Sequence, residues 1–146
     1  MLLVEGVIAG LTAGILMGLL SHAGYKIGLF RSSLFIIDGR FIQKFLHVRD
    51  SEKYSVLLGI PVHLLTSMSF GVGYVVLISI IKLELLNLWL IALYVFILWL
   101  SMLFVALPVA GQGLLGKKIG SRTWIEQLVL HVIFGIGLWR ILLVLS

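Results

Sequence analysis

Cysteine is absent from the 146 residues, which excludes disulfides, thiolate metal sites and cysteine nucleophiles. Charge is scarce. Asp, Glu, Lys and Arg together make 12% of the chain, about half the share usual in soluble domains. Acid is scarcer than base, with six Asp and Glu against eleven Lys and Arg. Proline occurs only at Pro61 and Pro108, so long helices meet few breakers. What fills the chain is apolar: 61% hydrophobic residues and a mean hydropathy of +1.20. A domain this small cannot hide so much apolar surface from water, so a soluble enzyme or soluble binding module is excluded. Lipid is the expected solvent. In so apolar a chain a net charge of +5 reads as membrane orientation and not as nucleic-acid binding.

Crossing a bilayer takes about 20 apolar residues as a helix. Four stretches qualify, roughly 4–26, 54–81, 85–110 and 124–145. The expected fold is therefore all-α, a polytopic membrane protein forming a single four-helix transmembrane domain over 1–146. Glu5 stands where a signal peptide carries base, so the first stretch is read as a retained span. Loop one holds Lys26, Arg31, Arg40, Lys44, Arg49 and Lys53, loop three holds Lys117, Lys118 and Arg122, and loop two holds only Lys82. Nine basic residues against one predict that loops one and three are cytoplasmic and both termini outside.

Within loop one, Phe41, Ile42, Phe45 and Leu46 recur at helical spacing, with Arg40, Gln43, Lys44 and His47 opposite. This predicts an amphipathic helix over 38–49, capped by Asp38, lying in the headgroup layer or covering the end of the bundle. Arg40, Lys44 and Arg49 would face anionic lipid or a partner protein. Thr123 and Glu126 have capping-box spacing at the start of the last span. Pro108 and the glycines at 111, 113, 116 and 120 predict a broken helix followed by a short re-entrant turn.

Gly6, Gly10, Gly14 and Gly18 follow one another at four-residue steps, the pattern that lets helix backbones approach closely in lipid. Packing within the chain is the favoured use of this face, with self-association as the alternative. Spans two and four look alike: His63, Ser67 and Gly71 in one, His131 and Gly135 in the other. A two-helix unit used twice in parallel would explain the likeness.

Ionisable residues inside a membrane are functional candidates, and here they are His22, His63 and His131. His63 and His131 fall at matching depth with glycines nearby, as ligation of a b-type haem requires. All three histidines together are a candidate set for a divalent metal. The plainest alternative is that each makes an interhelical hydrogen bond. The sequence puts no acidic residue inside the bundle, and it has no phosphate loop, hydrolase elbow or triad.

Gly59-Ile-Pro-Val-His63 with its following glycines, Leu107-Pro-Val-Ala-Gly-Gln-Gly-Leu-Leu-Gly116 and Leu128-Val-Leu-His131-Val-Ile-Phe-Gly-Ile-Gly137 resemble small uncharacterised four-helix inner-membrane proteins of bacteria and archaea. That resemblance implies a four-span bundle in the inner membrane and carries over no catalytic residue. The expected function is non-enzymatic, an accessory or scaffold subunit of a larger membrane complex, in contact with membrane lipids and other membrane subunits or a second copy. Two alternatives stand beside it: a haem- or quinone-associated electron-transfer subunit using His63 and His131, and a small oligomeric transporter or channel with Gln112 lining a pore.

Overall fold

A computed structural model describes residues 2–48 and 51–146. Its helices are α1 (Leu2–Lys26), α2 (Leu34–Leu46), α3 (Glu52–Ile81), α4 (Leu88–Val109) and α5 (Thr123–Leu145), and no strand occurs among the described residues. All but α2 are long and apolar enough to cross a membrane, and their ends fall within a few residues of the four stretches read from sequence. Only 28–39% of each apolar stretch is buried within the bundle. Leu19, Leu65, Ile80, Leu93 and Val144 are among the large side chains left pointing outward. Such a surface is untenable in water and ordinary in hydrocarbon.

Helix α1 is the centre of the bundle because it is narrow on two faces. Gly6 and Gly10 lie against the Gly71 backbone of α3, where a Cβ on Gly10 would come within 2.9 Å of Gly71 Cα. The neighbouring row, Ala9 and Ala13, is fully buried, and Ala13 meets Gly137 of α5. Small side chains on both faces let two helices approach one backbone, which favours dispersion contacts between them. Helix α4 packs chiefly on α5 and makes few close backbone contacts with α3. Tyrosines bridge that seam. Tyr94 donates its hydroxyl to the Phe70 carbonyl at 2.8 Å, Tyr74 donates to the Leu85 carbonyl at 2.8 Å, and the two rings lie 5.3 Å apart.

Three local expectations are corrected. First, α2 begins at Leu34 and not at Asp38. Ser33 is its cap, accepting from the Phe35 N–H at 3.2 Å, while Ser21 of α1 accepts from the Leu34 N–H at 2.9 Å. Leu34, Phe35, Ile36 and Ile37 are all buried, because this end of α2 is wedged between α1 and α3. Gln43, assigned to the polar face, is buried, whereas Phe45 and Leu46 are 75% and 57% exposed. The helix ends at His47 in the left-handed conformation. Second, Pro108 does not break α4. A π-turn over Met102–Ala106, closed by the Leu107 N–H on the Met102 carbonyl, precedes it and the helix runs to Val109. Beyond it, Gly111, Gly113 and Gly116 take positive φ in a chain of turns. Third, the capping box of α5 does not form. Thr123 Oγ1 donates back to the Gly120 carbonyl at 2.9 Å, and the Glu126 carboxylate is taken by the Arg31 N–H at 3.0 Å.

Candidate functional site

The site is built on a stripe of α3. Ser55, Gly59, His63, Ser67 and Gly71 are all buried and four residues apart. At 3.6 residues per turn each such step rotates the stripe by about 40°, so its two ends face different neighbours. The Ser55–Gly59 end meets α2. There Gly39 abuts the Ser55 backbone, Gly59 abuts the Phe35 carbonyl, and Ser55 Oγ donates to Gln43 Oε1 at 2.7 Å. The Ser67–Gly71 end meets the glycine stripe of α1. His63 stands at the change-over and serves both neighbours. Its Nε2 donates to the Gly14 carbonyl of α1 at 3.0 Å, and its Nδ1 lies 2.9 Å from Asp38 Oδ2 of α2.

Proton accounting follows from these contacts. A carbonyl can only accept, so Nε2 carries a hydrogen. Nδ1 and Oδ2 at 2.9 Å must then share a further proton, since two bare lone pairs would repel. The unit is therefore a net-neutral Asp–His pair, and an acidic side chain does enter the bundle, contrary to the sequence expectation. The side chains are 5% exposed for His63 and 19% for Asp38. Phe35 packs its ring edge on His63 with centroids 5.5 Å apart.

His131 donates Nδ1–H to the Gln127 carbonyl one turn earlier at 2.8 Å, which places the lone pair of the neutral ring on Nε2. His63, His131 and Asp38 border one small cavity with Thr66 and Ser67, closed by Met17, Phe70, Met102 and Phe134. Its volume is about 60 Å³, room for about two water molecules. The third candidate, His22, is elsewhere. Its Nδ1 lies 3.0 Å from Ser33 Oγ at the start of α2, with Phe35 between it and His63.

These contacts decide several sequence expectations. Bis-histidine haem ligation does not fit, because both nitrogens of His63 are engaged and the space beside the rings is far too small for a porphyrin. The three histidines do not form a metal set: among the described residues no group of three His, Asp or Glu side chains converges on a common point. His63 Nε2 faces a backbone carbonyl and not a hydroxyl, so this ring is not placed to activate a serine. The four glycines lie along α1 facing α3, with Gly14 against the Ser67 side chain and Gly18 between the Phe35 and His63 rings. Arg40 and Lys44 project from the later turns of α2, and Arg49 lies outside the described residues.

The sequence reading took Asp38 for a helix cap and gave no site role to Gly39, Ser55 or Gly59. The extension of the His63–Ser67–Gly71 spacing back to Gly59 and Ser55 was the signal that could have found the last two. It also missed Gln127, which is 1% exposed and whose Oε1 has no hydrogen-bond partner among the described residues. Comparison with protein-family models, with curated proteins and with solved structures found no match to this chain.

Proposed function

We propose that this chain is a multi-pass protein of the inner membrane that makes and breaks no bonds itself and serves as an accessory or scaffold subunit of a larger membrane assembly. In this reading the basic loops and α2 face the cytoplasm and both termini lie outside. The observation that carries it is the engagement of His63, whose two ring nitrogens are used to join α1, α2 and α3. Several other interior polar groups are used the same way: His22 with Ser33, Ser21 with the Leu34 N–H, Ser55 with Gln43. Polar side chains committed to helix–helix contact support a structural part in lipid, where such bonds act as glue. The outward apolar surface is available to lipid and to other membrane subunits. Extracted from its own membrane in a mild detergent and run on a native gel, the chain is expected to migrate with a larger assembly. Migration as a bare monomer under conditions that keep α2 protected from protease would overturn the reading.

One observation favours a second reading, a small proton-coupled transporter. Asp38 and His63 share a proton beside a cavity that touches all five helices, and intramembrane Asp and His side chains are the usual carriers of proton relays. In sealed vesicles with an internal pH dye, this reading expects proton flux in the wild type that is lost in Asp38→Asn. Absence of flux in the wild type removes it.

A further inference from the structure

Away from the histidine site, the turns after α4 and the end of α2 border a second, larger pocket that is open on one side. It holds about 630 Å³ and is lined by Arg40, Lys44 and His47 from the α2 region and by Gln112 and Lys118 from the other side. Among the described residues its lining holds no carboxylate, and Glu52 borders the adjoining pocket with Arg40 and Lys118. Two lysines from different elements close on one short backbone segment. Lys44 Nζ lies 2.8 Å from where a Cβ on Gly111 would be, so the ammonium rests close against that backbone. Lys118 folds over Gly113, its Cγ 3.3 Å from the corresponding position, and its N–H is anchored on the Gln112 carbonyl at 3.0 Å. Gly111 and Gly113 hold φ of +79° and +76°, which bends the segment around the space. Bringing the Lys44 and Lys118 ammonium groups to one short segment costs free energy that a bound anion would relieve.

The neighbourhood says which anion. Immediately beside the cations, Phe45, Leu46 and Val48 are 75%, 57% and 50% exposed, and Val109 at the end of α4 is 45% exposed. Cations next to outward apolar side chains at the end of a membrane bundle match the boundary between headgroup and acyl chain. We infer that this cavity binds the phosphate of an anionic membrane lipid, with Lys44 and Lys118 as the principal contacts and the Phe45–Val48 turn against the acyl region. The inference rests on the membrane placement proposed above.

The test uses the full chain in vesicles of mixed phosphatidylcholine and phosphatidylglycerol, with the lipid that stays bound after release counted by native mass spectrometry. Phosphatidylglycerol is expected to be retained in preference to phosphatidylcholine. Lys44→Gln and Lys118→Gln are each expected to lower its retention about fivefold, and about 25-fold together, while Lys82→Gln at the other end of the bundle leaves it unchanged. Equal retention of both lipids, or a double variant that keeps phosphatidylglycerol as the wild type does, overturns the inference. So does displacement of the lipid by inorganic phosphate at equal concentration, which would assign the cavity to a soluble phosphate. Flotation separates the two readings: protein that floats with the vesicles but shows no lipid preference defeats the headgroup site alone, and protein that fails to float defeats the membrane placement with it.

Discussion

Asp38 and His63 are 25 residues apart in sequence and 2.9 Å apart in space, and theirs is one of the contacts that tie the short helix of loop one to the long helices. Removing the carboxylate leaves the Nδ1 of a buried ring without a partner. Asp38→Leu is therefore expected to cost about 1–3 kcal/mol, read as faster amide exchange across 34–46 with α4 unaffected. Asp38→Asn can still donate to the ring and should retain most of the protection. Equal exchange in wild type and Asp38→Leu would mean that the glycine contacts and the Ser21, His22 and Ser55 hydrogen bonds hold α2 in place without the Asp38–His63 pair.

The meeting of Gly10 with Gly71 is backbone on backbone, so neither side can yield by rotating a side chain. Gly10→Leu should destabilise the bundle by about 1–3 kcal/mol, the usual cost of overpacking, and lower its thermal midpoint in detergent. Ile15 is 45% exposed on another face, and Ile15→Ala should leave the midpoint unchanged. A reversed order of damage would place the packing face on the wrong side of α1.

Along the α3–α4 seam, Tyr94→Phe deletes the hydroxyl that reaches the Phe70 carbonyl. Interhelical hydrogen bonds of this kind contribute about 0.6 kcal/mol in membranes. The expected outcome is a small loss of stability with a broader distance distribution between spin labels on α3 and α4. An unchanged distribution would show that the seam is held by the packing of the Tyr74 and Tyr94 rings.

The proposed orientation makes a cleaner prediction. Lys117 and Glu84 are exposed at opposite ends of the bundle. In intact cells, Lys117→Cys should resist an impermeant thiol reagent and Glu84→Cys should react. Labelling of Lys117→Cys from outside would invert the topology.

The four spans were legible because charge is confined to a few clusters, and no tertiary argument was needed to find them. The glycines of α1 were legible for a similar reason: a four-residue repeat of Gly has few uses other than close approach. The start of α2 was not. Leu34 to Ile37 is apolar on every side, so it shows no period, and Asp38 looked like a cap because the periodic pattern begins after it. A run without periodicity is what a helix end buried on all faces produces, and only its position between α1 and α3 tells it from a loop. The same misreading hid the carboxylate, since a cap faces water and Asp38 faces His63. At the histidines, sequence singled out His63 and His131, which border one cavity. Which ring nitrogen meets which partner depends on side-chain rotation, and spacing carries no information about that. Glu126 illustrates the complementary error. Its spacing from Thr123 was right for a local cap, but the Arg31 N–H, distant in sequence, took the carboxylate first.

The π-turn of α4 has a consequence for how this chain can change in length. A π-turn is a helix carrying one residue too many, so removing a single residue from Met102–Ala106 would restore ordinary winding and leave the segments on either side nearly in register. The same deletion in α1 would swing everything beyond it by about 100° and carry the later glycines off α3. Natural variants that differ by one residue in this part of the chain should therefore have gained or lost it at this turn, and their glycine and histidine positions should stay aligned on both sides of the gap.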